Sequence, residues 1–213
     1  MALKDIFRRA TGNILYYAGP MTRELQQKEY EHNLEVFKKL GIDVITLGKE
    51  NTTGLEAYQA GYPKDAKEFA QKNHELFLKK RVYKIITSDP EAYHAFTSLY
   101  PQWLDKWDIV VEHTTQTVLS ALQKKKIQHS EDKEKERVSY HDPCSLARAE
   151  GIYDEPREII TLLGGELVEP VKTKKDAMCC GAGGGVLQNY PDNAKAMAQQ
   201  RLAHFPDDIK KII

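Results

Sequence analysis

Val138-Ser139-Tyr140-His141-Asp142-Pro143-Cys144 lies over Ile14-Leu15-Tyr16-Tyr17-Ala18-Gly19-Pro20, 124 positions away (138 − 14). The upstream run is apolar and aromatic and ends at Gly19-Pro20, as a buried strand running into a loop does. Its twin reads the same way. Further along, Lys39-Leu40-Gly41 lies over Leu162-Leu163-Gly164 at an offset of 123 (162 − 39), each just ahead of a strand. Lys84-Ile85-Ile86 lies over Lys211-Ile212-Ile213 at an offset of 127 (211 − 84). So small a drift points to a duplicated unit.

Working outward from these anchors, strands and helices alternate. Asn13–Ala18 reads as the first strand. Tyr30, Leu34, Phe37 and Leu40 recur at helical spacing, and Gly41 closes that helix. Ile42–Leu47 reads as a second strand, followed by the loop Asn51-Thr52-Thr53-Gly54. Residues 64–80 form an amphipathic helix, Val82–Thr87 a strand, and a helix follows Pro90. Ile109–Val111 is a fourth strand and Thr117–Leu122 is helical. After a charge-dense stretch the order begins again: strand Val138–His141, helix Pro156–Leu163, strand Glu166–Glu169, helix Asp192–Ala203, and a strand opening at Ile209.

This predicts an α/β chain of two pseudo-repeated domains, each a small parallel sheet flanked by helices, with the second incomplete. The first repeat is expected over 1–125, a charged linker over 126–137, and the second repeat over 138–213. Crossovers should be right-handed.

The 31 basic residues balance 31 acidic ones, which speaks against a nucleic-acid binder. No run approaches the roughly 20 apolar residues of a membrane helix, and the first residues lack the features of a secretory signal. A cytoplasmic location is expected, with any membrane association made through a partner.

Three cysteines remain: Cys144, Cys179 and Cys180, the last two adjacent. An odd count fits a disulfide framework poorly, and a disulfide between neighbours closes a strained ring. Between Cys144 and Cys179 lie 34 residues (179 − 144 − 1), and the pair runs into Gly181-Ala182-Gly183-Gly184-Gly185. Thiolates are soft ligands for iron–sulfur clusters or zinc. A glycine turn lets backbone approach a bulky inorganic core, and its N–H groups can face sulfide or another anion. The blander readings are small buried cysteines and a phosphate cradle, although the glycine run lacks the Gly-Lys-Ser/Thr ending of a nucleotide loop. With His141, the three thiols also match a Cys₃His zinc set. His113 reads as a loop residue capping the following helix.

Tyr140-His141-Asp142-Pro143-Cys144 followed by Cys179-Cys180-Gly181-Ala182-Gly183-Gly184 resembles the cysteine-rich CCG domain family, along nearly the whole chain from Asn13. That family includes the B-type and D-type components of heterodisulfide reductase and the iron–sulfur components of glycolate, lactate and glycerol-3-phosphate oxidising systems. Its pattern is Cys, about 31–39 residues, Cys-Cys-Gly, about 35 residues, then Cys-x-x-Cys, normally twice. Gly151-Ile152-Tyr153-Asp154-Glu155-Pro156-Arg157 also fits the second repeat.

The resemblance implies a cluster of the 4Fe-4S type in the complete protein, non-cubane in the B-type component of heterodisulfide reductase. Cys144, Cys179 and Cys180 would be the metal ligands, with Gly181 against the cofactor. The implied function is an electron-transfer or disulfide-reductase subunit, an oxidoreductase component working with flavin- or ferredoxin-type subunits. The alternative is a non-catalytic structural or interaction subunit, with zinc or no metal at the cysteines.

Two departures qualify this. In the first repeat the ligand positions fall on Pro20, Thr52-Thr53 and Asp89 with Ala92, at intervals of 31 (52 − 20 − 1) and 35 (89 − 53 − 1) residues. Pro and Ala offer no ligand, and Thr and Asp do not replace thiolates. We expect no cluster there, only scaffolding or partner docking. In the second repeat, counting 35 residues past Cys180 leads beyond Ile213, so the Cys-x-x-Cys is expected to be truncated away and cluster binding by these 213 residues weakened or absent.

Overall fold

The structure is a computed structural model that describes residues 11–125 and 136–213. The chain divides into two compact units, one up to Val118 and one from Leu119 onward. Most of the stretch read as a linker, 126–135, lies outside the described residues.

In the first unit the elements are β1 (Asn13–Tyr17), α1 (Pro20–Leu25), α2 (Gln27–Leu40), α3 (Leu55–Gln59), α4 (Pro63–Lys79) and β2 (Val82–Thr87). Then come α5 (Pro90–His94), a π-helical turn (Ala95–Leu99), α6 (Tyr100–Trp103), β3 (Val110–His113) and the start of α7 (Thr114–Lys125). The strands are parallel in the order β1-β2-β3. Ile45 forms a single parallel bridge to Leu15 on the free side of β1. The strand expected over Ile42–Leu47 therefore shrinks to one bridge. Its pairing is limited to Ile45 N–H on Ile14 O and Tyr16 N–H on Ile45 O.

Both faces of this sheet are covered, so β1 runs apolar and aromatic from Ile14 to Tyr17 rather than alternating. Leu15 and Tyr17 face one core with Phe77, Ile85, Phe96 and Tyr100. Tyr16 and Ala18 face the other with Phe37 and Ile86. The period-two alternation of a strand sends neighbours to opposite layers. The first layer is an aromatic lattice: the Phe96 ring centroid lies 4.9 Å from that of Tyr100 and 5.0 Å from that of Tyr17. Each such side chain contributes about 1.5–3 kcal/mol of burial.

The second unit contains the end of α7, then β4 (Arg137–Ser139), α8 (Ala147–Glu150), α9 (Asp154–Leu162), β5 (Glu166–Leu167) and a 3₁₀ turn (Lys174–Asp176). α10 (Val186–Asn189), α11 (Pro191–Leu202) and β6 (Lys211–Ile212) complete it. Its parallel sheet runs β5-β4-β6. Val138 in β4 packs in one buried cluster with Tyr140 and Ile160.

The repeat is visible in the registers. Ile14 pairs with Lys84, and Val138 with Lys211, the very residues aligned from sequence. Ile45 N–H donates to Ile14 O at 2.8 Å, and Val168 N–H to Val138 O at 2.8 Å. The molecule is an α/β protein of two pseudo-repeated units, each built on a small parallel sheet.

Candidate metal centre

Cys144 lies in the turn between β4 and α8. The turn is closed by Ala147 N–H on Pro143 O at 2.8 Å and Arg148 N–H on Cys144 O at 3.1 Å. Two residues earlier, Asp142 is 2% exposed and is held by the fork of Arg157, itself 8% exposed. Nη1 donates to Oδ1 and Nη2 to Oδ2, both at 2.8 Å. Lys174 N–H and Thr173 Oγ1 donate to the same carboxylate at 2.8 and 3.1 Å. Arg157 also donates to Glu169 at 2.5 and 3.0 Å. Burial pushes the Asp142 carboxyl up, but Arg157 and the Lys174 N–H outweigh it and hold it below the usual carboxylate range. This network ties the backbone entering Cys144 to the segment that leads into Cys179.

Cys179 and Cys180 follow the 3₁₀ turn. All three thiols are free; Cys144 and Cys179 are exposed and Cys180 is half-buried. Gly181 N–H donates to Cys179 Sγ at 3.5 Å, the kind of contact that stabilises a thiolate sulfur. Gly181 has φ +81°, and a Cβ on it would lie 2.7 Å from Ala194 O in α11. Only glycine permits both that dihedral and that approach.

The first unit repeats this turn with different side chains. Gly54 N–H donates to Thr52 Oγ1 at 3.1 Å. Gly54 has φ +88°, and its Cβ would lie 2.7 Å from Ala66 O in α4. Thr52-Thr53-Gly54 and Cys179-Cys180-Gly181 are thus equivalent in backbone, as their sequence spacing predicts. Pro20, Thr52 and Asp89 line one cleft together with Glu50, Glu56 and Glu91. Burial raises the Glu50, Asp89 and Glu91 carboxyls above their ordinary values.

Among the described residues no group of three or more His, Cys, Asp and Glu side chains is arranged to hold a metal ion. The structure pairs Cys179 with Cys180 in one turn but does not gather Cys144, Cys179, Cys180 and His141 into a closed shell. Sulfur atoms have no attraction for one another until a metal bridges them, so such sites are rarely preformed. His141 is half-buried; burial, then Arg201, pull its imidazole below the usual histidine value, while Asp142 opposes. His113 ends β3 and caps α7: its Nδ1 accepts from Thr115 N–H at 3.3 Å, and Gln116 Oε1 accepts from His113 N–H at 3.1 Å.

The residues fit a soft, anionic group on two counts. The donors are reduced thiols, the ligand type of iron–sulfur chemistry. Beside them lies Arg201 of α11, 3% exposed, whose Nε and Nη2 are buried without a hydrogen-bond partner among the described residues. Sequence reading missed Arg201, Asp142 and Arg157. The signal for Arg201 was present: Tyr190-Pro191 and Ala194 lie over Tyr62-Pro63 and Ala66 at an offset of 128 (190 − 62). Carrying that offset forward places Arg201 over Asn73 and Phe205 over Phe77.

The chain is 37% identical over 175 residues to the probable iron-sulfur-binding oxidoreductase FadF of Bacillus subtilis (strain 168), covering 79% of this chain and 24% of that protein. It is 31% identical over 204 residues to the D-type component of the dihydromethanophenazine:CoB–CoM heterodisulfide reductase of Methanosarcina barkeri (strain Fusaro / DSM 804), covering 93% and 50%. It is 31% identical over 153 residues to the EtfAB:quinone oxidoreductase of Syntrophomonas wolfei subsp. wolfei (strain DSM 2245B / Goettingen), covering 71% and 21%. The chain therefore spans half or less of the length of each of these relatives. The CCG cysteine-rich domain profile matches residues 14–96 and 138–213, one match on each repeat. With both repeats accounted for, the chain belongs to the CCG cysteine-rich domain family.

Proposed function

We propose that this chain is part of an iron–sulfur redox subunit of the heterodisulfide reductase type, serving electron transfer or disulfide reduction. One observation carries the reading. The Cys179-Cys180-Gly181 turn places an N–H on the Cys179 sulfur and lies beside a buried guanidinium that, among the described residues, has no hydrogen-bond partner at Nε or Nη2. Cys144, Cys179 and Cys180 would hold the cluster, which supplies one-electron chemistry when bound. The chain's own contribution is positional. The Asp142–Arg157 pair fixes the approach to Cys144, the Gly181–Ala194 contact fixes the cysteine pair, and the Gly181 N–H bears on the Cys179 sulfur.

The heterodisulfide reductase relative is by name one subunit of a larger redox enzyme, which supports redox partner subunits for this chain; that these are of flavin or ferredoxin type is part of the proposal. Among the described residues no helix is long and apolar enough to cross a membrane. A cytoplasmic location, with partners making any membrane contact, is part of the proposal. The first repeat, with Pro20, Thr52-Thr53 and Asp89 at its ligand positions, is read as scaffold or docking surface.

Anaerobic purification of the full-length protein, with iron and acid-labile sulfide assays and EPR, tests this. Stoichiometric iron and sulfide, with an EPR signal on oxidation or reduction, are expected. Zinc without sulfide would overturn the redox reading in favour of a structural subunit. Cys179→Ser and Cys180→Ser should each abolish the metal; full retention in both would remove these cysteines from the ligand set.

A further inference from the structure

We propose that Arg201 is a positioning residue for the cysteine centre, its fixed charge raising the reduction potential of the group that Cys179 and Cys180 hold. The inference rests on the iron–sulfur reading above.

A guanidinium stays protonated in proteins. Burying it is costly unless it is paired and hydrogen-bonded. Arg201 is 3% exposed, yet it makes a single hydrogen bond among the described residues, from Nη1 to Met178 O at 3.0 Å. Its Cζ also lies 5.4 Å from the Phe205 ring centroid. Nε and Nη2 have no hydrogen-bond partner among the described residues. Asp142 acts on it electrostatically, but both oxygens of that carboxylate are committed to Arg157. The other groups that act on its charge are Cys180 and Cys179, which favour it, and Arg148, which does not. His141 also feels it. Two donors of a permanent cation thus remain in the company of two thiols.

The first repeat supplies the control. Asn73 occupies the equivalent place on α4, 1% exposed, and is neutral and satisfied. Its Nδ2 donates to Thr52 O at 2.9 Å and Tyr100 Oη at 3.0 Å, and its Oδ1 accepts from Asn51 at 3.4 Å. Asn73 and Arg201 do the same structural work, since each donates to the segment carrying the doublet. They differ in charge, and the charge stands in the repeat that keeps its cysteines. Holding the loop needs no cation, as Asn73 shows; a negative centre does. A nearby positive charge favours the more negative, reduced state and so raises the potential.

The test compares wild type with Arg201→Met and Arg201→Lys in the full-length protein, purified anaerobically. Iron and sulfide content are measured first, then the midpoint potential by EPR-monitored titration. Arg201→Met should lower the reduced-to-oxidised ratio about tenfold at fixed ambient potential, or about 59 mV for a one-electron couple. Arg201→Lys should restore most of that. Loss of the cluster in Met with retention in Lys also supports the role of charge. An unchanged potential in Arg201→Met, or equal shifts or equal cluster loss in both variants, overturns the proposal. Wild type lacking iron and sulfide overturns the functional reading itself, and this inference with it, and is distinguished by the first assay.

Discussion

The turns Thr52-Thr53-Gly54 and Cys179-Cys180-Gly181 have one backbone and two chemistries. In each, the glycine N–H returns to the first side chain of the doublet, and the glycine lies against the carbonyl of an alanine in the next long helix. What differs is the donor set, hydroxyl against thiol, and the buried residue behind it, Asn73 against Arg201. Fold and ligand chemistry are therefore separable here. The geometry that presents a doublet is kept when hydroxyls stand in place of soft thiols.

The largest expected effect tests an asymmetry, because the Asp142–Arg157 pair is a device of the second repeat. Arg157→Leu leaves Asp142 buried without its fork and should cost about 3–5 kcal/mol, measured by chemical denaturation. A loss under about 1 kcal/mol, the range of an exposed pair, would show that the pair does not fix the entry to Cys144.

The next test is of symmetry. Gly181→Ala and Gly54→Ala each meet a positive φ and a carbonyl 2.7 Å away. Each should cost about 2–4 kcal/mol, combining left-handed strain with overpacking. Strongly unequal losses would break the backbone equivalence.

A third effect is confined to the first repeat. Burial pulls the His113 imidazole down to about 4. A histidine depressed in the folded state adds stability above its unfolded value near 6.5, lost as pH falls from there towards 4. At about pH 5 the loss is about 2 kcal/mol. Glu50, Asp89 and Glu91, raised by burial, act in the opposite sense over part of this range. The effect is therefore read as the difference in pH slope between wild type and His113→Asn, which should be flatter. Equal slopes would contradict it.

The smallest effect grafts one turn onto the other. Thr52→Cys with Thr53→Cys should cost about 1 kcal/mol through the weakened hydrogen bonds to Gly54 and Leu55. The double variant should bind no more iron than the wild type, since Pro20 and Asn73 remain. Iron in excess of the wild-type content would show that the doublet alone suffices.

The parallel sheets and their registers are legible in the sequence because strand periodicity and the offset between repeats are both carried by short apolar runs. Ile14 over Val138 and Lys84 over Lys211 survive as pairs in the sheets. At Ile42–Leu47 the same signal misleads, since apolar character there serves packing of Ile42 and Val44 onto Phe37's layer more than ladder formation. The cysteines are visible as residue types at a spacing. Their supporting residues are not, because Arg157 reaches Asp142 across 15 positions and Arg201 reaches Met178 across 23, with no local pattern to announce either. Only the repeat alignment, extended through Tyr-Pro to Asn73, isolates Arg201.

The contact of Gly181 with Ala194 O has a mechanical corollary. With no compliant side chain between them, the sulfur-bearing turn and α11 are braced like a lever against its fulcrum. A shift of the turn towards α11 has no side chain to absorb it, so the spacing between the doublet and that helix is set by backbone alone.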